Sequence, residues 1–293
     1  MKISVGIATY NRLHSAIDVV NLLLEQSVIP NEIIIIDQSN VYQNSSNLKI
    51  LDLCKTGNIK YIFQKTPNLP KARNTIIKLS QCEIILFIDD DVVFNRFFVE
   101  NHLINYHDNN IHAVAGRVIE KNDNISSYKI RSWNKYLDYK YFDFGWDYKV
   151  INFGTVKGCN HSIRRDVITF INGYDESYYG TSLREETDMA FKLLINNYNI
   201  VFDPKSLLLH LKEPSGGCRL DDRGVLSASD SIIRFSFKYS FLLKSFTLSE
   251  LWYAFRLAVL NKKNLEDPKY LFINMFIFFK QIIKNLKNLK IND

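Results

Sequence analysis

Phe87-Ile88-Asp89-Asp90-Asp91-Val92 closes an apolar run that begins at Glu83, and it sets three consecutive carboxylates at the end of that run. A short apolar stretch of this kind reads as a buried strand. At the carboxyl end of a parallel strand, such acids project into the crevice where an open α/β sheet binds its ligands. Together they suit a hard divalent cation carrying a diphosphate. A solvated turn or a helix N-cap after the strand would use the same residue types, so the surrounding sequence has to decide.

On either side of that run, residues 1 to about 120 alternate β-branched apolar stretches with amphipathic ones, the pattern of βα units feeding a mostly parallel sheet. The expected strands are Ile3–Thr9, Glu32–Asp37, Ile59–Phe63, Glu83–Ile88 and Ala113–Ile119, and the expected helices are Leu13–Gln26, Ser45–Cys54, Lys71–Ser80 and Arg96–Tyr106. Ile33-Ile34-Ile35-Ile36 is too uniformly apolar for a half-exposed strand and belongs mid-sheet with both faces covered. Further on, Ser126 to Tyr148 is aromatic and loop-like, with Trp133, Trp146 and several Tyr and Phe. It reads either as an exposed binding wall or as core under a long loop. A strand pair (Val150–Val156, Asn160–Arg164), a helix around Glu186–Asn196 and a short apolar pair (Ile200–Phe202, Leu207–His210) follow.

At 293 residues the chain can form one large α/β domain or a domain with an appendage. Its four cysteines are widely spaced with no Cys-x-x-Cys pair, which argues against a zinc site or a disulfide framework and fits a reducing compartment. Met1 to Ile7 lacks an apolar signal core and reads as a first strand. Leu226–Asp293 holds 11 Lys and Arg against 5 Asp and Glu, which accounts for the whole net charge of +6, while the first 225 residues carry 26 of each sign. Nucleic-acid binding is disfavoured, because the basic excess is confined to a greasy tail. That tail reads as helices rich in Phe, Tyr, Leu and Ile, and its longest uncharged run, Tyr270 to Phe279, is far below a membrane span. It suits lying on an anionic membrane surface, or packing on the sheet as a helical cap.

Other polar groups fall on the same sheet edge as the acids. The first strand ends in Thr9-Tyr10-Asn11-Arg12, beside a helix N-terminus suited to anions. The second ends at Asp37, where a carboxylate could accept hydrogen bonds from a base or ribose, and Pro70-Lys71-Ala72-Arg73-Asn74 opens a helix with two cations and an amide. Leu207-Leu208-Leu209-His210 brings an imidazole to the end of a later strand. A lone histidine is more often satisfied within a core, which is the expectation for the other five.

In order and spacing these segments resemble the inverting glycosyltransferases of family 2, which have the GT-A fold. The matching pieces are Thr9-Tyr10-Asn11-Arg12, Glu32–Asp37, Leu69 to Asn74, Asp89–Asp91 as a variant of the DxD motif, Gly158 with Asn160 and Arg164-Arg165, Gly173-Tyr174-Asp175-Glu176, and Arg184-Glu185-Glu186-Thr187-Asp188. They cover roughly residues 1 to 217. The resemblance implies an α/β Rossmann-like domain over 1–225, with a nucleotide-sugar half (1–120) and an acceptor half (121–225), followed by a helical tail over 226–293.

The resemblance also implies roles. Thr9, Tyr10, Arg12, Asp37, Arg73, Asn74, Asp89 and Asp90 would bind a nucleotide-diphosphate sugar, with Arg73 on either the nucleoside or a phosphate. Asp91 and Asp89, with His210 before the Gly216-Gly217 pair, would hold Mn²⁺ or Mg²⁺. Glu186 would be the base that deprotonates the acceptor hydroxyl. The family more often has Asp there, and the longer side chain leaves Glu185 as an alternative. Gly158, Asn160, Asp188 and Trp146 would face the acceptor, a glycan or lipid-linked hydroxyl. The implied setting is cytoplasmic, peripheral at the inner membrane face, in surface-polysaccharide synthesis. A catalytically silent nucleotide-sugar or glycan-binding module of the same fold is the alternative. A nucleotidyltransferase would show a Gly-rich phosphate loop after the first strand, and Tyr10-Asn11-Arg12-Leu13 is not one.

Overall fold

The structure is a computed structural model that describes residues 1–40, 44–55, 57–121, 134–213, 215–217 and 222–289. Residues 126–133 of the aromatic stretch, Trp133 among them, and Cys218 lie outside the described residues. The first half is a run of βα units: β1 (Ile3–Thr9), α1 (Leu13–Leu24), β2 (Glu32–Asp37), α2 (Asn44–Cys54), β3 (Ile59–Phe63), α3 (Leu69–Leu79) and β4 (Ile84–Ile88). β1 pairs in parallel with β2 and β4, and β2 with β3. Helix α3 starts two residues before the expected Lys71 because the Asn68 side chain caps it, accepting from the Lys71 N–H at 2.8 Å, with Pro70 in the first turn.

Side-chain alternation along β2 and β4 divides the core between the two sheet faces. Ile34, Ile36, Ile85 and Phe87 point to one layer, and Ile33, Ile35, Ile84, Leu86 and Ile88 to the other. All four isoleucines of 33–36 are fully buried, as a strand covered on both faces requires.

Next come β5 (Val92–Phe94), α4 (Phe98–Ile104), β6 (Ala113–Glu120), α5 (Asp138–Tyr141), β7 (Val150–Phe153), β8 (Asn160–Arg164), α6 (Arg165–Phe170), α7 (Glu185–Ile195) and β9 (Ile200–His210). The sheet order is β3-β2-β1-β4-β8-β6-β9-β5, with β7 also on β9. This half is mixed: β8 runs antiparallel to β4 and β6, and β9 runs parallel to β6 but antiparallel to β5 and β7. Two expectations change. β7 and β8 are not paired with each other, and the two short apolar segments after residue 199 form one continuous strand, β9. Its register against β6 shifts between Gly116 and Arg117, whose partners are Asp203 and Leu207. The bulge absorbs Pro204, which has no N–H to give a ladder.

The aromatic stretch folds inward. Phe142 meets Phe153 and Phe202 at ring-centroid distances of 4.5 and 4.9 Å, and Tyr139 meets Phe235 at 5.3 Å, while Tyr141 and Tyr148 are exposed. The chain finishes with α8 (Asp222–Lys238), α9 (Ser240–Leu243), α10 (Phe246–Ala258), α11 (Lys262–Glu266) and α12 (Pro268–Leu289). Phe235, Tyr239 and Leu243 join the sheet core against Phe191 of α7, whereas Ile232, Ala254, Ala258 and Phe278 form a separate helical core. The tail therefore does pack as a cap.

Candidate active site

β4 delivers Asp89–Asp91 to the carboxyl edge of the sheet, and two strand registers bring His210 to them. Val92 of β5 faces His210 on β9, and Glu120 of β6 faces the same residue from the other side. The imidazole consequently lies between two carboxylates, with Nε2 3.3 Å from Asp91 Oδ1 and Nδ1 2.8 Å from Glu120 Oε2. Burial alone would lower the His210 pKa; Asp91 and Glu120 outweigh it and hold it at about 10.

Asp89, Asp91 and His210 each offer a ligand atom within 4.8 Å of the others. Asp91 Oδ1 is buried with no hydrogen bond beyond its ion pair to His210 Nε2, so the donor set fits a divalent cation. A mixed carboxylate and imidazole set suits Mn²⁺ better than Mg²⁺.

Beneath the cluster, Arg12 bridges Asp90 and Asp91, donating from Nη1 to Asp91 Oδ2 at 2.8 Å and from Nη2 to Asp90 Oδ1. Thr9 Oγ1 donates to Asp90 Oδ2 at 2.6 Å. Asp90 is 1 % exposed, and burial pushes its carboxyl up to about 7 against the opposing pull of Arg12 and Thr9. Gly216 and Gly217, at φ +73° and +68°, close over Arg12 so tightly that a Cβ on Gly216 would come within 2.4 Å of Arg12 Cγ. The glycine pair after His210 thus presses the guanidinium onto the acids.

A second buried cation, Arg73 of α3, lies beside Asp89 at 3.9 Å. It pairs with Glu185 and donates to the Gly158 carbonyl at 3.0 Å. Glu185 is 2 % exposed and committed to Arg73, whereas Glu186 is half-buried and has no hydrogen bond or ion pair among the described residues. Burial works to lower the Lys157 pKa, yet Cys159, Glu120 and Glu186 together hold it above its usual value. Both glutamates open α7, whose N-cap, Arg184, is left-handed at φ +77°. That costly backbone is held from outside: Arg184 stacks over Tyr139 at 4.5 Å and donates to Glu250 of α10 at 3.0 Å.

Thr9, Tyr10, Arg12, Asp89, Asp90, Asp91 and His210 line one cleft of about 240 Å³ along this edge. A family model for glycosyl transferase family 2 matches residues 4–170. The chain belongs to glycosyl transferase family 2. It is 24% identical over 217 residues to the O-antigen chain rhamnosyltransferase RfbN of Salmonella typhimurium, covering 72% of this chain and 66% of that protein. It is 33% identical over 130 residues to an uncharacterized glycosyltransferase of Rickettsia conorii, covering 43% of this chain, and it spans about a fifth (21%) of that relative. Among solved structures, the mannosyltransferase PcManGT of Pyrobaculum calidifontis, in complex with GDP-Man and Mn²⁺, superposes with a TM-score of 0.58 at 13% identity, covering 97% of this chain and 87% of the other. The fold is GT-A.

Several residues expected in the site of this family 2 chain have partners within the fold. Asp37 is 3 % exposed, and its oxygens accept from the Ser39 N–H and the Tyr61 hydroxyl at 2.8 Å each, which fixes the carboxylate at the strand end. Arg73 pairs with Glu185 and lies beside Asp89. Asn74 clasps the Gly173-Tyr174 turn, accepting from the Tyr174 N–H and donating to its carbonyl at 2.9 Å each. Asn160 is fully buried and bridges the β6–β9 bulge, donating to Arg117 O and Ser206 O at 2.8 Å each.

Asp188 is likewise buried, with Lys238 at 2.6 Å and the Tyr239 hydroxyl at 3.1 Å; it anchors α8 to α7. Trp146 is half-buried against Phe142 and Tyr148. His102, His161 and His112 are hydrogen-bonded as expected, while His14 and His107 are exposed. Glu120 was not foreseen. Its signal is an acid at a strand end, and its partner His210 lies ninety residues away in sequence.

Proposed function

We propose that this family 2 chain is a metal-dependent inverting glycosyltransferase. It moves a sugar from a nucleotide-diphosphate sugar to a hydroxyl of a glycan or lipid-linked acceptor in surface-polysaccharide synthesis. One observation carries the reading: Arg73 links the Asp89, Asp91 and His210 donor set to Glu185 at the start of α7, whose first turn also holds Glu186, a carboxylate with no hydrogen bond or ion pair among the described residues. The donor complex of PcManGT and the O-antigen relative RfbN support the substrate classes. For a lipid-linked acceptor the place of work is the cytoplasmic face of a membrane.

Asp89, Asp91 and His210 Nε2 would hold Mn²⁺ or Mg²⁺, which supplies Lewis-acid stabilisation of the departing diphosphate. Arg12 keeps Asp90 and Asp91 from repelling each other and fixes their orientation. Arg73 locks Glu185, so the base role falls to Glu186. Glu186 takes the acceptor proton as the hydroxyl oxygen bonds to the anomeric carbon. The bond from that carbon to the diphosphate breaks on the opposite face, its electron pair leaves with the nucleotide, and the anomeric configuration inverts.

Calorimetric titration with UDP-, GDP- and dTDP-sugars, with and without Mn²⁺, tests the donor site. Metal-dependent binding of one nucleotide class is expected, and Asp91→Ala should abolish it. Glu186→Gln should keep donor binding and lose transfer by about 10²-fold or more. A folded protein that binds no donor would point to a silent module, and full activity in Glu186→Gln would take the base role from Glu186.

A further inference from the structure

Helix α12 is apolar on two sides: Phe278, with Leu271, Met275 and Ile282, packs into the helical core, and a second apolar stripe faces outward. Its polar Gln281 and Asn285 are buried against α8, where Gln281 Nε2 donates to Leu226 O at 3.0 Å and Asn285 Nδ2 to Asp230 Oδ1 at 2.9 Å. Phe272, Phe276, Phe279 and Ile283, spaced four, three and four residues apart, form one outward stripe and are 63, 70, 54 and 55 % exposed. The stripe continues onto α10, whose Leu248 and Trp252 are 74 and 56 % exposed. A chain of rings joins the two helices: Trp252 stacks on Phe255 at 5.7 Å, Phe255 meets Phe278 at 5.2 Å, and Phe278 meets Phe279 at 5.7 Å. A contiguous apolar face of this kind marks a surface that is covered by something.

Charge identifies the cover. α12 carries four lysines and no acid. Lys284 reaches Asp230, but Lys269, Lys280 and Lys287 are exposed and have no ion-pair partner among the described residues. A second copy would set these lysines against their own kind, whereas an anionic surface satisfies both the lysines and the phenylalanines. No described helix is long and apolar enough to cross a membrane, so the face would lie on a bilayer and not span it.

We propose that the outer face of α10 and α12 seats the protein on an anionic lipid bilayer, with the phenylalanines at the acyl boundary and the lysines among the headgroups. On its inner side, α10 presents the fully buried Glu250 to Arg184, the residue that opens α7. The seated face is thereby one ion pair from the helix that carries Glu186. A lipid-linked acceptor would be brought to that helix from the bilayer itself.

Vesicle binding needs nothing from the donor site, so each can fail without the other. The test is flotation of the full chain with vesicles of phosphatidylcholine alone and of phosphatidylcholine mixed with phosphatidylglycerol. Binding to the anionic vesicles should exceed binding to the neutral ones by at least ~tenfold and weaken with salt. The variant Phe272→Ser/Phe276→Ser/Phe279→Ser should lose it by a similar factor, with donor titration as its check of folding. Lys269→Glu/Lys280→Glu/Lys287→Glu changes only exposed charge and should lose it as well. Failure of the native chain to float with anionic vesicles overturns the proposal, as does undiminished binding by both variants. A native dimer that the phenylalanine variant splits, with vesicle binding unaffected, would assign the face to a second copy.

Discussion

At the scale of single residues, the site rests on charges that hold one another. Glu120 accepts from His210 Nδ1 and so turns Nε2 toward Asp91. Carboxylate partners of metal-binding imidazoles typically affect affinity by 10- to 100-fold, and Glu120→Gln should weaken Mn²⁺ binding by about that much, read by Mn²⁺ titration of the donor-free protein. An unchanged affinity would remove Glu120 from the site. The adjacent glutamates of α7 should separate cleanly. Glu185→Gln strands the buried Arg73 and should cost about 3 kcal/mol in urea unfolding, whereas Glu186→Gln should leave the unfolding midpoint in place and affect transfer. The acid triplet was readable because nothing in a soluble core wants three neighbouring carboxylates. Asp37 was placed by its strand end, and Asn74, Asn160 and Asp188 by resemblance, but residue type alone did not show the hydrogen bonds that tie each of them into the backbone or to neighbouring helices.

At the scale of elements, β8 stands out as a buried strand with a polar centre, Asn160-His161-Ser162. His102 of α4 lies between Ser162 and Asn160 at 2.9 Å to each, and His161 meets the Tyr174 hydroxyl at 2.6 Å. Burial lowers His102 to about 4 and His161 to about 3. Both are folded as neutral rings, while the unfolded chain titrates near 6.5. Their contribution to stability is therefore complete above pH 6.5 and is lost as pH falls from there toward about 4 and then 3, at up to about 1.4 kcal/mol per pH unit for each ring. Asp90, raised to about 7, works against them, gaining stability as pH falls from about 7 toward 4 and offsetting about one of the two rings. Urea midpoints measured from neutral pH down to about 4 should still fall, by about what one ring alone would give, and a rising profile would contradict neutral burial. The strand β8 itself was legible, but its partners were not. Apolar alternation fixes which residues form a strand, while the mixed pairing of β5 to β9 is decided by contacts made across a hundred residues.

For the whole molecule, the helical tail is both cap and surface. Its inner side is spoken for: Lys238 pairs with Asp188, and Glu250, fully buried, pairs with Lys140 and Arg184 at 2.9 and 3.0 Å. Glu250→Ala would leave two cations without a partner and should destabilise the protein by about 2–3 kcal/mol, somewhat less than a fully enclosed pair because Lys140 is partly exposed. Deleting the chain from Leu226 onward would bare Phe191 and the sheet core around it, and the truncated protein should unfold well below the melting temperature of the full chain. A truncated form as stable as the full chain would make the tail an independent unit. Composition revealed that this segment is basic, aromatic and helical. It could not reveal which aromatics turn inward, because that depends on the shape of α7 and the sheet beneath.

The position of β9 also bears on how the protein is made. On the ribosome, β6 is finished long before β9 exists, and β9 is the neighbour that covers one of its edges. A nascent chain that has reached residue 170, where the family match stops, holds most of the sheet but leaves that edge open to any passing strand. Synthesis of the last strand is then a race against misassembly, and we expect a fragment cut at residue 170 to precipitate when expressed although it spans the whole matched region.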